Sequence, residues 1–291
     1  MLSLQFFING LSSGSILALI AIGFGMILAV TGEFHMAHAA TFVISGYLGW
    51  LLTESLGLNI YLVLFLVILM GGVMGYVYNE VLYAPLRRRK ASRLVILLAS
   101  LGALTLLENL MAFIFGINPK FYNTHLNQTV IQKPTIVGIQ IAMIVSLIIA
   151  ICVVYTILYR MPIGREIRAV INSPFTSQVI GIDATKVYRT VYIIASSLAA
   201  VAGMLISIQS GTNPYHGTLY LINAAIAVLI GGIGSYWGSI VGALLLGLIQ
   251  QYSIMFFDTQ WQTSITLIVF IVIILFRPSG LFSVQLRTKG V

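Results

Sequence analysis

The sequence predicts an all-α, polytopic transmembrane helical bundle of about eight to ten spans, and three observations carry that expectation. Apolar residues fill 59% of the 291 positions and charged residues only 8%, against about 25% charged in an ordinary soluble domain. Mean hydropathy is +1.03. The apolar runs continue for about 20 residues, the helical length that crosses a hydrocarbon core about 30 Å thick, whereas barrel strands alternate over about ten. Within lipid every backbone N–H and C=O has to be paired inside its own segment, so unbroken runs of this length fold as helices.

In chain order the runs are Leu4–Val30, Met36–Leu52, Asn59–Leu82, Leu94–Phe115, Ile139–Tyr159, Val191–Ser210, Leu219–Gly232, Trp237–Phe257 and Trp261–Phe276. Nothing before the first run resembles a positively charged leader or a small-residue cleavage site, so it reads as a retained helix. Met36–Leu52 and Leu219–Gly232 are short and are candidates for broken or re-entrant segments. The whole of residues 1–291 reads as one transmembrane domain. The single cysteine, Cys152, lies in an apolar run and has no partner for an internal disulfide.

The net charge is +8, and its placement decides what it means. The basic residues gather in Arg87–Lys90 with Arg93, in Arg160–Arg168, at Lys186 and Arg189, and at Arg277, Arg287 and Lys289. Each cluster abuts an apolar run, as the positive-inside rule expects of cytoplasmic loops. No basic face is interleaved with aromatics, so nucleic acid is not an expected partner. Two runs between Arg93 and Arg160, and four between Arg189 and Arg277, put all the clusters on one side. The C-terminus is then cytoplasmic and the uncharged N-terminus outside.

Two connections are long. Residues 116–138 form an expected outside loop, with Pro119 and Pro134 stopping the flanking helices. The inside loop at about 161–188 contains a short helix, Pro174–Ile180. Ser173 suits its N-cap, Pro174 its first turn and Gly181 its C-terminal stop. Phe175 and Val179 fall one turn apart on one face, with Thr176 and Gln178 elsewhere, and Arg165, Arg168, Lys186 and Arg189 ring the segment. Such a helix serves either for docking a partner or for lying on lipid headgroups.

Other residues that carry chemistry are few. Gly231, Gly232 and Gly234 have no Lys nearby, which the Gly-Lys-Ser/Thr of a phosphate loop requires. They read as close helix packing, or as a break that exposes backbone to a cavity. Glu108, followed by Asn109, lies roughly 20 Å along its span; it is either an interhelical hydrogen bond or part of a solute path. Glu80 is close enough in sequence to Arg87 and Arg88 for a local ion pair. His35 and His38 interrupt two apolar runs and are candidates for a gate, since two histidines fall short of a zinc ligand set. No paired aspartates, His-Glu-x-x-His or Ser/His/Asp set is present, so the chain is not expected to be an enzyme, and passage of a solute is the function left.

Several stretches together resemble a known family. They are Asn9-Gly10-Leu11-Ser12-Ser13-Gly14-Ser15, Phe34-His35-Met36-Ala37-His38, Tyr83-Ala84-Pro85-Leu86-Arg87 and Leu107-Glu108-Asn109, followed by Gly164-Arg165-Glu166-Ile167-Arg168-Ala169, Gly181-Ile182-Asp183, Ala199-Ala200-Val201-Ala202-Gly203, Gly231-Gly232-Ile233-Gly234-Ser235 and Arg277-Pro278-Ser279-Gly280-Leu281-Phe282. In this order they resemble the shorter permease of ABC importers for branched-chain amino acids. Ala39 stands where the family commonly has Gly, and Asn79-Glu80-Val81 lacks its usual basic residue.

The resemblance implies a prokaryotic inner-membrane permease paired with a companion permease, as a heterodimer or alternatively a homodimer. Two cytoplasmic ATPase subunits would carry the ATP and Mg, with no cofactor on this chain, and an extracytoplasmic binding protein would deliver the solute. Residues Pro174, Phe175, Gln178, Val179 and Gly181 would belong to the helix that couples the permease to an ATPase. Permeases for urea, amides or other amino acids are alternatives, as is a secondary transporter that uses an ion gradient through Glu108.

Overall fold

A computed structural model describes residues 2–132 and 135–282; Pro134, Arg287 and Lys289 lie outside the described residues. The chain is helical almost throughout. Helix α1 covers Leu2–Thr31, and α2 covers His38–Trp50 with a π-helical extension over Leu51–Ser55. Helix α3 covers Ile60–Val77 and runs through a π turn, Tyr78–Tyr83, into the short α4, Ala84–Arg88. Next come α5 (Arg93–Phe115), α6 (Gly138–Arg160), α7 (Pro162–Asn172), α8 (Pro174–Val179) and α9 (Ala184–Ser210). Helices α10 (His216–Gly231), α11 (Tyr236–Ser253) and α12 (Gln262–Phe276) complete the bundle.

Among the described residues, six helical stretches are long and apolar enough by themselves to cross a membrane: Ser3–Thr31, Ile60–Arg88, Arg93–Phe115, Gly138–Arg160, Ala184–Ser210 and Thr259–Phe276. Helices α2, α10 and α11 coincide with the remaining apolar runs of the sequence. The short runs flagged in the sequence are not broken at mid-depth. Helix α2 gains length from its π extension, and α10 is continuous from His216 to Gly231.

Polar residues mark where the helices begin. Asn59 accepts from the Tyr61 N–H at 2.9 Å ahead of α3, and Asp183 from Thr185 N–H at 2.9 Å ahead of α9. Ser235 accepts from the Gly238 N–H at 3.0 Å ahead of α11. Each supplies an acceptor to an N–H that the first turn leaves orphaned.

Helices α1 and α9 form the centre. The apolar window of α1 is 83% buried, while that of α12 is only 6% buried, so α12 lies at the periphery of the bundle. Helices pack closely in lipid through small residues. Gly14 of α1 abuts Gly247 of α11, and Gly23 would place a Cβ 2.8 Å from the Ala195 carbonyl oxygen of α9. The passes alternate, so one end of the bundle gathers Arg87–Lys90, Arg160–Arg168 and Arg277; the opposite end holds the N-terminus of α1 and residues 116–137.

The connection 116–137 is more structured than a proline-bounded loop. It carries an antiparallel hairpin of β1 (Thr129–Gln132) and β2 (Thr135–Val137), and it is strapped to the bundle. Lys120 and Thr212 exchange backbone hydrogen bonds of 3.1 and 2.8 Å. The Trp50 indole donates to the Phe121 carbonyl at 3.1 Å, and the Glu54 carboxylate accepts from the Asn123 N–H at 2.8 Å. The Tyr122 hydroxyl donates to the Gly46 carbonyl at 2.6 Å. Burial, and then the Glu54 charge, raise the Tyr122 pKa, which keeps that donor protonated.

Candidate functional site: an exposed helix at one end and a carboxamide-lined chamber at the other

At the arginine-rich end, α8 forms as its capping residues direct. Ser173 Oγ accepts from the Thr176 N–H at 3.3 Å, Pro174 occupies the first turn, and Gly181 adopts φ +85° beyond the last turn. Ser177 is buried beneath the helix, whereas Phe175, Val179 and Ile180 are 78%, 71% and 67% exposed. An apolar row of that exposure on a helix this short does not pack against its own chain; it faces a partner or a lipid surface. Gln178 is also exposed.

The basic ring around α8 is smaller than the sequence suggests. Arg165 and Lys186 are exposed, but Arg168 turns inward, donating to the Leu158 carbonyl at the end of α6 and stacking 5.0 Å over the Tyr159 ring. A cation there offsets the negative end of α6. Arg189 pairs with Glu80 at 2.9 Å, which also corrects the expected pairing of Glu80 with Arg87 and Arg88.

Arg87 has a different partner, Glu33. Its Nη1 lies 3.1 and 2.9 Å from the two carboxylate oxygens, and Tyr192 of α9 donates to Oε2 at 2.7 Å. The other Arg87 nitrogen donates to Asn79. Glu33 thereby joins the α1–α2 turn, the short α4 and α9. His35 and His38 are fully buried beside it. Tyr83 donates to Ser100 at 2.7 Å, so the His35 Nδ1–H donates to the Tyr83 oxygen at 2.6 Å. The His35 ring sits among Tyr78, Tyr83 and Tyr192, and the His38 ring packs against His35 and Phe24. Neither lines the chamber described below.

Glu108 is buried at the contact of α5 with α10 and accepts from the Thr218 hydroxyl at 3.0 Å. Asn109 is exposed; its amide donates to the Thr105 carbonyl at 2.7 Å and accepts from Tyr215 at 3.4 Å. Gly231 packs directly on Gly238, and Gly232 and Gly234, at φ +102° and +86°, form the turn between α10 and α11. Gly231 thus packs one helix closely on the next, and the turn made by Gly232 and Gly234 lies at the arginine-rich end. Leu281 and Phe282 donate to the Ile230 and Gly231 carbonyls there, at 2.8 and 2.9 Å.

The feature that sequence reasoning missed lies at the far end. A cavity of about 340 Å³ opens between α1, α6, α9, α10, α11 and α12, within the size range of small-ligand sites. Each helix contributes one to three carboxamides or hydroxyls. Asn9 and Gln140 are joined by a 2.9 Å hydrogen bond on one side, and Gln250 and Thr266 by one of 2.8 Å on the other. No charged side chain lines it among the described residues.

Comparison with known proteins agrees with this architecture. Residues 6–276 match the family described as branched-chain amino acid transport system / permease component. The high-affinity branched-chain amino acid transport system permease protein BraD of Pseudomonas aeruginosa is 30% identical over 96% of this chain and 95% of its own. The corresponding LivH protein of Escherichia coli is 27% identical over 96% and 94%. A ribose import permease protein, RbsC of Haemophilus influenzae, is 26% identical over 84% of this chain and 76% of its own. The solved structure of PsaBC from Streptococcus pneumoniae in complex with Fab shares the fold, with a TM-score of 0.51 over 93% of this chain and 91% of that one at 14% identity. With a match spanning nearly its whole length and helices that carry it repeatedly across a membrane, the chain belongs to the branched-chain amino acid transport permease family.

Proposed function

We propose that this chain is one of two permease subunits of an ABC importer and moves branched-chain amino acids inward. The single observation that carries the reading is α8, a capped helix with Phe175, Val179 and Ile180 exposed beside the arginine-rich end. Positive-inside bias sets that end, and with it the C-terminus, in the cytoplasm. Docking on an ATPase accounts for the apolar row better than headgroup contact does, because permeases of this family work with ATPase and binding-protein partners. In this reading α8 is the coupling helix, Arg165 lies at its border, and ATP and Mg reside on the two ATPase subunits. Motion of α8 passes straight into α9, which begins only a few residues later and is tied to Glu33 through Tyr192. A non-identical companion permease completes the pore. The substrate follows from relatives such as BraD and LivH, whose names specify branched-chain amino acids.

The test is reconstitution with both ATPases, the companion permease and the binding protein, followed by leucine uptake with and without ATP. Phe175→Asp and Val179→Asp are expected to insert normally, lose the ATPases on co-purification and abolish uptake. Wild-type co-purification of these variants, or uptake that persists without the ATPases, overturns the reading.

A further inference from the structure

We infer that the chamber at the far end is a holding site within this single subunit for a small zwitterion with an apolar side chain. The inference rests on the importer reading and deepens it, since it concerns the substrate on its way through. A polar side chain in a membrane span carries a desolvation cost unless it is paired, and such groups mark solute pathways. Yet here several are uncommitted. Gln209, exposed at the end of α9, and the half-buried Gln251 make no side-chain hydrogen bond among the described residues, and the half-buried Asn223 is approached only by Gln250, at 3.5 Å.

A carboxamide presents both donor and acceptor, so a ring of them receives a carboxylate and an ammonium together without supplying a fixed charge to either. A cation or an anion finds no counter-charge among the lining residues and stays in water. Leu17, Ile206 and Leu219 give the chamber an apolar side for an aliphatic side chain. Neutral hydrogen bonds also suit transit, because a site on a path has to release what it binds.

The experiment uses the assembled importer in proteoliposomes with Cys152→Ala, which removes the native thiol, and Asn223→Cys. A small methanethiosulfonate reagent is added on the side of the binding protein. Leucine with its binding protein is expected to slow modification about fivefold or more, the occupancy effect of a ligand at several times its Kd, and lysine is expected to have no effect. Equal rates with and without leucine overturn the inference, as does equal protection by lysine. Should Asn223→Cys fail to assemble, Gln209→Cys in the same background gives the same readout. Wild-type uptake, measured alongside, separates the two claims: loss of ATP-driven uptake in the wild type defeats the importer reading, whereas intact uptake with an unprotected Asn223→Cys defeats the holding site alone.

Discussion

Glu33 accepts from Arg87 and Tyr192 in a site where its own side chain is 5% exposed and that of Arg87 is 20% exposed. Removing one member of such a pair strands a buried charge. Arg87→Ala is therefore expected to lower stability by about 3–5 kcal/mol, while replacing both members by apolar residues of similar volume recovers much of it. The order of melting midpoints in detergent, double variant above single, is the measurement. Tyr192→Phe removes one hydrogen bond to a charged group and is expected to cost about 1.5–3 kcal/mol. Glu108 is a different case. Its carboxylate is matched to one hydroxyl at a helix contact and lies outside the chamber, so Glu108→Gln keeps the acceptor and is expected to leave leucine uptake unchanged. A large fall in uptake with normal assembly would place Glu108 on the path after all. At this scale the sequence disclosed which residues were unusual but not whom they met. Glu33 lies 54 residues from Arg87 and 159 from Tyr192, and no local spacing encodes such a meeting.

Among the elements, α8 was legible because its boundaries are written in capping chemistry, in Ser173, Pro174 and Gly181. The preceding α7 was not anticipated, although Ile163, Ile167, Val170 and Ile171 follow helical spacing; its arginines drew the eye as charge rather than as the outer face of an amphipathic turn. The chamber was illegible for another reason. Its amides come one from each of five helices and two from α11, and an isolated Asn or Gln in an apolar run has no pattern until the bundle assembles. Two expectations follow for elements. Ser173→Ala removes the cap of α8 at about 1 kcal/mol, so it is expected to weaken ATPase co-purification without abolishing it, short of the loss from Phe175→Asp. Gly231→Ala would drive a methyl into the Gly238 backbone; overpacking of this kind costs about 1–3 kcal/mol, visible as a lower melting midpoint and a broadened elution profile.

For the whole molecule, hydropathy and charge were enough to give the passes and their alternation, because the bilayer length and backbone pairing leave few options. The orientation is open to a direct check. In a Cys152→Ala background, Asn123→Cys is expected to react with an impermeant maleimide on intact cells, and Lys90→Cys only after permeabilisation; the reverse pattern would invert the topology. The central burial of α1 bears on how the protein is made. Its glycine-seamed surface is completed by α9 and by α11, which begins at Tyr236, about 200 residues after α1 ends. At synthesis rates of about 5–20 residues per second, that separation is roughly ten to forty seconds. For that interval the face of the first helix that α11 will cover, with Gly10 and Gly14 on it, is turned to lipid or the insertion machinery. Biogenesis then depends on something sheltering α1 until its neighbours arrive, and a ribosome stalled before α11 would leave a membrane intermediate exposed to quality-control proteolysis.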